Sequence, residues 1–243
     1  EMVIRDWSSD VCSSDLEMEL ENLLIYGSYP ETLNKESFSE KVDYLKQIQN
    51  SYLYKDILEL DRVKNSKTLI NLLQLLAYQI GHEVSTSELA NSLDISRATV
   101  VRYLDLLEKA FVIKSLGGYS KNLRKEITKS SRYYFYDNGI RNALINNFNE
   151  LSARNDVGQL WENFLFIERL KKQEYQKIYA NNYFWRTWDG KEIDFVEERE
   201  GKLFGFEFKY KDKGTKVPKD WTTSYPDASY EVINRDNYLN FIV

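Results

Sequence analysis

The sequence is short of the residues from which many protein sites are built: it has one cysteine (Cys12), one histidine (His82) and three prolines among 243 residues. A single cysteine excludes a disulfide framework and a thiolate metal cluster, and a single histidine excludes a multi-histidine zinc site within the chain. Any metal would have to sit mainly on carboxylates. No apolar run approaches the roughly 20 residues that span a bilayer, and the start lacks the basic and then apolar order of a signal peptide. These absences predict a soluble, cytoplasmic protein with no membrane partner. The phosphate cradle G-x-x-x-x-G-K-[ST] is also missing, so the chain lacks that means of holding ATP. What is present is core material: 42% of the residues are hydrophobic and 14% aromatic, enough for one large or two small domains. The formal charge is −5, from 33 Lys+Arg against 38 Asp+Glu. That argues against gripping nucleic acid by charge alone, although a local basic patch fits inside such a total.

Residues 1–16 show neither helical nor strand periodicity. Asp6 to Leu16, DWSSDVCSSDL, resembles the translation of a common short-read sequencing adapter, codon by codon. The resemblance implies that residues 1–16 are an adapter-derived, disordered artefact, that the frame was assembled from environmental reads, and that native sequence before Glu17 is lost. Those sixteen residues hold four acids and one base, so the other 227 carry a net −2 and no cysteine.

From Glu17 onward, residues 17–36 read as the end of a preceding module, with a turn at Gly27-Ser28-Tyr29-Pro30. Val42, Leu45, Ile48, Tyr52, Leu53 and Ile57 recur at helical steps and predict a helix from Ser39 to about Leu60. Leu69, Leu72, Leu73, Leu76 and Ile80 predict a second, from Lys67 to Ile80, closed by Gly81. Ser85-Thr86-Ser87-Glu88 has the capping-box pattern of a short helix. Ser96 caps a third helix, Arg97 to Ala110, with Val100, Tyr103, Leu104 and Leu107 on one face. A strand at Phe111-Val112-Ile113 and a tight turn at Gly117-Gly118 follow. Helix, turn, helix, strand and turn is the order of a winged helix-turn-helix, assigned to a helical domain over 37–150. The polar stretch 146–156 marks a boundary, and 151–243 forms a second domain: a helix from Gly158 to Lys172, then strands near 183–186, 192–196, 203–210 and 230–233. The fold class is α+β.

Arg97, Thr99 and Arg102 lie toward the N-terminal, outward side of the third helix, where a recognition helix makes groove contacts. Lys114, Lys121, Arg124, Lys125, Lys129 and Arg132, against Glu126 alone, give the following wing a local +5, suited to phosphates. Two readings stay open: contact with double-stranded DNA, or a structural or protein-binding role.

In the second domain, alternation puts Phe204, Phe206, Phe208 and Tyr210 on one strand face, and Glu207 and Lys209 on the other. If Glu200-Gly201 is a two-residue hairpin loop, Arg199 pairs with Lys202 and Asp194 stands opposite Glu207. Two carboxylates and a lysine on one face suit Mg²⁺. Such an ion would polarise a phosphodiester while Lys209 orients a water or steadies the transition state, and Glu162 on the preceding helix could add a third carboxylate.

This set resembles the PD-(D/E)XK nucleases, with Asp194 in Glu192-Ile193-Asp194-Phe195-Val196, the triplet Glu207-Phe208-Lys209, and Glu162 in Trp161-Glu162-Asn163. More closely, the chain from about Leu23 to its end resembles the C-terminal portion of AAA-type ATPases that carry the domain of unknown function 4143. Further matching segments are Tyr26-Gly27-Ser28-Tyr29-Pro30-Glu31, Ser51 to Ile57, Tyr134-Phe135-Tyr136-Asp137-Asn138-Gly139 and Trp185-Arg186-Thr187. The resemblance implies a winged helix followed by a restriction-endonuclease-like α/β domain with a mixed sheet, Mg²⁺ on Asp194 and Glu207, and ATP confined to a missing N-terminal module. It also admits a catalytically silent module that recognises DNA or a protein partner and regulates the missing ATPase.

Overall fold

Four of the described helices in this protein start where Ser or Asp side chains close their first turns, and several stop where residues with positive φ turn the chain away. The structure is a computed structural model and describes residues 13–56, 66–120, 131–211 and 214–243. In chain order, α1 (Ser13–Tyr26), α2 (Pro30–Leu33), α3 (Phe38–Ile48), a π-helical stretch (Gln49–Asp56) and α4 (Ser66–Tyr78) come first. Then follow β1 (Glu83–Val84), α5 (Thr86–Leu93), α6 (Arg97–Lys109), β2 (Ile113–Gly118), β3 (Ser131–Phe135) and α7 (Asn138–Leu144). The chain ends with α8 (Val157–Tyr175), β4 (Asn181–Arg186), β5 (Glu192–Arg199), β6 (Lys202–Phe208), α9 (Lys219–Ser224), β7 (Ser229–Ile233) and α10 (Tyr238–Ile242). The fold is α+β with a mixed seven-stranded sheet among the described residues.

Two compact units share the chain. One takes the described residues up to Tyr78 together with Asp137–Asn155; the other is Gln79–Tyr136 with Asp156–Val243. This division differs from a cut at residue 150. The reason is β2, which pairs antiparallel with β3 and parallel with β4, so the segment carrying α5 and α6 shares one sheet with the C-terminal strands.

The first unit is helical. α1 buries Leu20, Leu24 and Ile25 and packs on α3 and α7. Ser13–Leu16, the last of the residues expected to be disordered, form its first turn; residues 1–12 lie outside the described ones. Tyr26 stacks on Phe148 at 6.1 Å between centroids. Gly27, at φ +77°, ends α1, and its neighbour Ser28 donates its amide to Asp137 Oδ2 at 2.7 Å. Asp137 Oδ1 meanwhile accepts from the Ile140 amide at 3.0 Å and caps α7. A Cβ on Gly27 would lie 2.1 Å from Asp137 Oδ1, and one on Gly139 would lie 2.2 Å from the Tyr26 carbonyl oxygen. The last carbonyls of a helix have no helical partner, and α7 supplies donors to two such ends. Asn142 donates to the Leu24 and Ile25 carbonyls at 3.2 and 2.8 Å, and Arg141 Nε donates to the Ala77 carbonyl at 2.8 Å.

The helix expected from Ser39 to about Leu60 is instead α3 followed by the π-helical stretch; Ile57 to Leu60 lie outside the described residues. A capping box opens α3: Ser37 Oγ accepts from the Glu40 amide at 3.2 Å, and Glu40 Oε2 accepts from the Ser37 amide at 3.3 Å.

In the second unit the strand order is β1-β3-β2-β4-β5-β6-β7. Ser85 caps α5 by accepting from the Glu88 amide at 3.3 Å, so between these described residues only the serine half of the expected box forms. Ser96 accepts from the Thr99 amide at 3.1 Å, and α6 buries Val100, Tyr103, Leu104 and Leu107 as its periodicity predicts. Two local expectations are corrected. Phe111 has φ +54° and turns the chain out of α6, so the strand starts at Ile113. Gly117-Gly118 is no tight turn, because its backbone pairs in parallel with Tyr183 and Phe184 of β4.

Both faces of the β5–β6 hairpin are covered. On one, Phe195, Phe206 and Phe208 gather around Phe241 of α10, with ring centroids 4.9–6.4 Å apart. On the other, Trp185, Ile193 and Val196 pack with Trp221 of α9. Glu197 of β5, fully buried, takes a two-pronged bond from Arg169 of α8 at 2.5 and 3.0 Å and a third from Gln173 at 2.8 Å. A bidentate pair of this kind fixes helix against strand.

The Gly139 contact makes a clear stability test. Gly139→Ala lowers unfolding stability by about 2–4 kcal/mol. Gly158→Ala, where nothing lies within 4 Å of a new Cβ, leaves it unchanged or raises it by about 0.5 kcal/mol. Chemical denaturation of both variants provides the comparison, and equal losses would contradict the packing described.

Candidate functional site

The site starts from a hairpin turn. Glu200 and Gly201 have φ of +53° and +72°, the left-handed pair that two-residue loops of this kind require. Arg199 pairs with Lys202, and the same register continues to Phe195 opposite Phe206. The backbone pairs end there, one step short of Asp194 and Glu207.

The other edge of β5 adds what alternation alone does not contain. Against β4, the pair Tyr183–Val196 is followed by Trp185–Ile193, so three residues of β5 are spent against two of β4. That is a β-bulge at Asp194-Phe195, a device that re-aims side chains. Ile193 and Val196 consequently share the Trp221 face, while Phe195 meets Phe166 of α8 edge-on at 5.6 Å. Asp194 Oδ2 accepts the Phe208 amide at 2.9 Å, just beyond the last backbone pair. Asp194 Oδ1 lies 3.6 Å from Nη1 of Arg132.

Arg132 is the centre of the cluster. It is 3% exposed, its guanidinium lies 4.6 Å from the Phe184 ring centroid, and it donates to Glu162 Oε1 at 3.3 Å and Glu192 Oε2 at 2.7 Å. Tyr134, two residues on and on the same face of β3, donates its hydroxyl to Glu162 Oε1 at 2.6 Å. The adjoining Asn163 accepts from the Phe135 amide at 2.7 Å and donates to the Phe135 carbonyl at 2.8 Å, which locks α8 to β3 and so places Glu162. Gly81, at φ +76°, leaves room beside the Glu162 carboxylate: a Cβ there would lie 3.1 Å from Oε2. Lys209 Nζ is 2.6 Å from Glu207 Oε1. The second oxygen, Glu207 Oε2, is buried without a hydrogen-bond partner among the described residues.

The four expected residues Glu162, Asp194, Glu207 and Lys209 therefore fall in one region of the second unit, joined by Arg132, Tyr134 and Glu192, which sequence reasoning missed. Arg132, expected among the bases of the wing, is instead buried against Glu162 and Asp194. The two-residue spacing of Arg132 and Tyr134 on a strand was the available signal, and it does not say what they face. Among the other basic candidates, Lys114 pairs with Glu108 at 3.0 Å. Arg97 is exposed, and its Nε donates to Thr86 Oγ1 at 2.9 Å. Arg102 is exposed over the Tyr103 ring at 5.4 Å. Thr99 Oγ1 shares a hydrogen bond with the cap Ser96 at 2.9 Å. Lys121, Arg124, Lys125 and Lys129 lie outside the described residues.

Burial dominates the electrostatics. It pushes Glu162 up to about 8, aided by the Asp194 charge and opposed by Arg132 and Tyr134. Burial, with Asp194 again adding, pushes Glu207 up to about 7. Asp194 is also raised by burial, against the pull of Lys209, the Phe208 amide and Arg132. Burial opposes the charge on Lys209, but Asp194 and Glu207 outweigh it and raise the ammonium. The cluster is short of positive charge, and an unpartnered carboxylate oxygen lies within it. Both features fit a hard divalent cation on Asp194 and Glu207. Among the described residues no three His, Cys, Asp or Glu side chains are grouped to hold a metal ion, so two carboxylates would share it with water or substrate oxygens. No helix among the described residues is long and apolar enough to cross a membrane.

The comparisons with known proteins divide the chain near the polar stretch. Residues 17–151 match the family described as Domain of unknown function (DUF8612), and residues 157–237 match Domain of unknown function (DUF4143). The domain of unknown function 4143 expected from the resemblance is thus matched over the C-terminal part alone, while the preceding part has a family of its own. An uncharacterized protein of Mycobacterium tuberculosis is 28% identical over 193 residues, 78% of this chain and 42% of that protein. One of Haemophilus influenzae is 26% identical over 224 residues, covering 90% and 50%. One of Methanocaldococcus jannaschii is 25% identical over 199 residues, covering 80% and 42%. The chain therefore spans about half the length, or less, of these curated relatives. No solved structure matches it. With more than half of its residues inside the first match, the chain belongs to the DUF8612 family and carries a DUF4143 domain over residues 157–237.

Proposed function

We propose that the second unit is a PD-(D/E)XK-like phosphodiesterase, dependent on Mg²⁺, whose α5–α6 segment is a winged-helix module that binds double-stranded DNA. The observation that carries this reading is the bulged β5–β6 hairpin, which collects Asp194, Glu207 and Lys209 around a buried, unpartnered carboxylate oxygen. Asp194 and Glu207 would hold Mg²⁺, which when bound would polarise a phosphodiester and acidify a water. Lys209, its ammonium fixed by Glu207 at 2.6 Å, would orient the attacking water or steady the charge that develops on phosphorus. Asp194 is held in place by the Phe208 amide and Glu162 by Tyr134 and Arg132. On α6, Arg97 and Arg102 would contact phosphates, with Thr99 at the helix N-terminus beside them. If the chain comes from an AAA-type ATPase, as its resemblance implies, ATP would be held in a module outside it, and a P-loop in the genomic sequence upstream of Glu17 is the check.

Arg132 favours a second reading. Its guanidinium already lies among Glu162, Glu192 and Asp194, which would let the domain stand without metal as a catalytically silent DNA- or protein-binding module that regulates the ATPase. Plasmid cleavage with Mg²⁺ or Mn²⁺ separates the two. Wild type cuts, and Asp194→Ala loses at least about a hundredfold in rate; cleavage that survives the substitution, or a wild type that does not cut, would overturn the catalytic reading.

The raised carboxylates also set a pH dependence. Glu162 and Glu207 bind protons more tightly folded than unfolded, by values of about 8 and 7 against an ordinary 4.5. Folding is therefore favoured below about pH 4.5, and that contribution is lost as pH rises toward 8. Without divalent cation the melting midpoint falls across this window, Glu207→Gln flattens the fall, and Mg²⁺ raises the midpoint more at pH 8 than at pH 5. A midpoint that climbs over the same range would contradict this account.

For the DNA-binding module, Arg97→Ala and Arg102→Ala each weaken duplex binding and reduce the slope of log Kobs against log salt by about 1. Titrations between roughly 50 and 200 mM salt measure it, and an unchanged slope would assign α5–α6 to a structural or protein-binding role.

A further inference from the structure

The proposed phosphodiesterase site contains four carboxylates, Glu162, Glu192, Asp194 and Glu207, and two fixed cations, Arg132 and Lys209. The cations divide the cluster between them. Lys209 is paired with Glu207 and is half exposed. Arg132 is almost fully buried, spreads its two terminal nitrogens over Glu162 and Glu192, and stands 3.6 Å from Asp194. The Phe184 ring lies against its guanidinium at 4.6 Å, which holds the side chain in that position. Arginine stays charged under all ordinary conditions, so this positive charge is permanent.

We propose that Arg132 is the resident cation of the site: it takes the place among Glu162, Glu192 and Asp194 that a second metal ion would fill, and leaves the site to bind a single divalent ion at Asp194 and Glu207. The inference rests on the metal-dependent reading of the same site. Charge supports the count: with the ion bound and all four carboxylates ionised, the two cations leave a deficit of two, which one divalent ion balances. Hydrogen bonding supports it as well: Glu162 Oε1 is already taken by Tyr134 and Arg132, whereas Glu207 Oε2 is more than nine-tenths buried and has no partner among the described residues. Glu162 is then a positioning residue whose role is to anchor Arg132. Arg132 and Tyr134 belong to the part of the chain that matches DUF8612, and the remaining members to the DUF4143 domain. The site is thus completed by both.

Mn²⁺ serves as the probe, with stoichiometry and affinity read by calorimetry and by electron paramagnetic resonance on the full chain. Wild type binds one Mn²⁺. Asp194→Asn and Glu207→Gln each weaken it by more than about a hundredfold, while Glu162→Gln weakens it by at most about ten- to a hundredfold, as for a group outside the ligand set. Arg132→Met admits a second Mn²⁺, and Arg132→Lys keeps one. Two ions on wild type, one ion on Arg132→Met, or loss of binding in Glu162→Gln would overturn the assignment while leaving the metal reading intact. No Mn²⁺ on wild type would overturn both. Should Arg132→Met fail to fold, the Glu162→Gln comparison decides alone.

Discussion

Carboxylates cannot be buried side by side without cations among them, and the second unit is arranged around that constraint. Two like charges about 4 Å apart repel by about 4 kcal/mol at the effective dielectric of a protein, and each also loses its hydration. Arg132 meets the constraint for the buried Glu162 and Asp194 at once and also pairs with the more exposed Glu192. To do so it must stand on β3, and β3 must stand beside β2, which in turn pairs with β4. The placement of the α5–α6 segment on the same sheet as the β5–β6 hairpin is thereby tied to the electrostatics of the cluster. Even so, the compensation is incomplete. Glu162 and Glu207 remain raised well above ordinary carboxylates, and such perturbed groups gather at functional sites more often than elsewhere.

A second buried pair shows the contrast. Glu197 is fully buried, yet Arg169 grips it with two nitrogens and Gln173 adds a third donor. Arg199 Nε stands 3.1 Å from the same carboxylate as well, so the group is more than matched by cations, and the result ties α8 to β5. Around Arg132 one guanidinium is divided among three acids, and one carboxylate oxygen nearby has no partner. Donors saturate the first carboxylate and are short at the second.

The segments that carried the family resemblance have physical explanations once the fold is known. Gly27 and Gly139 are positions where a Cβ would collide with Asp137 or with the Tyr26 backbone. Asp137 holds Ser28 and the first turn of α7 together. Asn163 pairs with both backbone groups of Phe135, so Trp161-Glu162-Asn163 and Tyr134-Phe135 interlock. These are points of close approach between segments far apart in sequence, where the choice of residue is narrow.

Local chemistry alone determined a good part of this protein. The buried face of α6, the caps at Ser37, Ser85, Ser96 and Asp137, and the Glu200-Gly201 turn with its register all depend on neighbours within a few residues, and periodicity or turn chemistry exposes such neighbours. That register also brings Asp194 to the end of β6, where its carboxylate accepts the Phe208 amide. Tertiary structure alone decided the rest. Phe111 and Gly117-Gly118 read locally as strand and turn, but a parallel partner 66 residues away claims the glycine backbone. The β5 bulge appears only against β4. Arg132 read as a base of the wing because nothing within its own strand reveals that Glu162, Glu192 and Asp194 surround it. Pairing between distant strands depends on which buried surfaces and charges satisfy one another, and no local pattern records that.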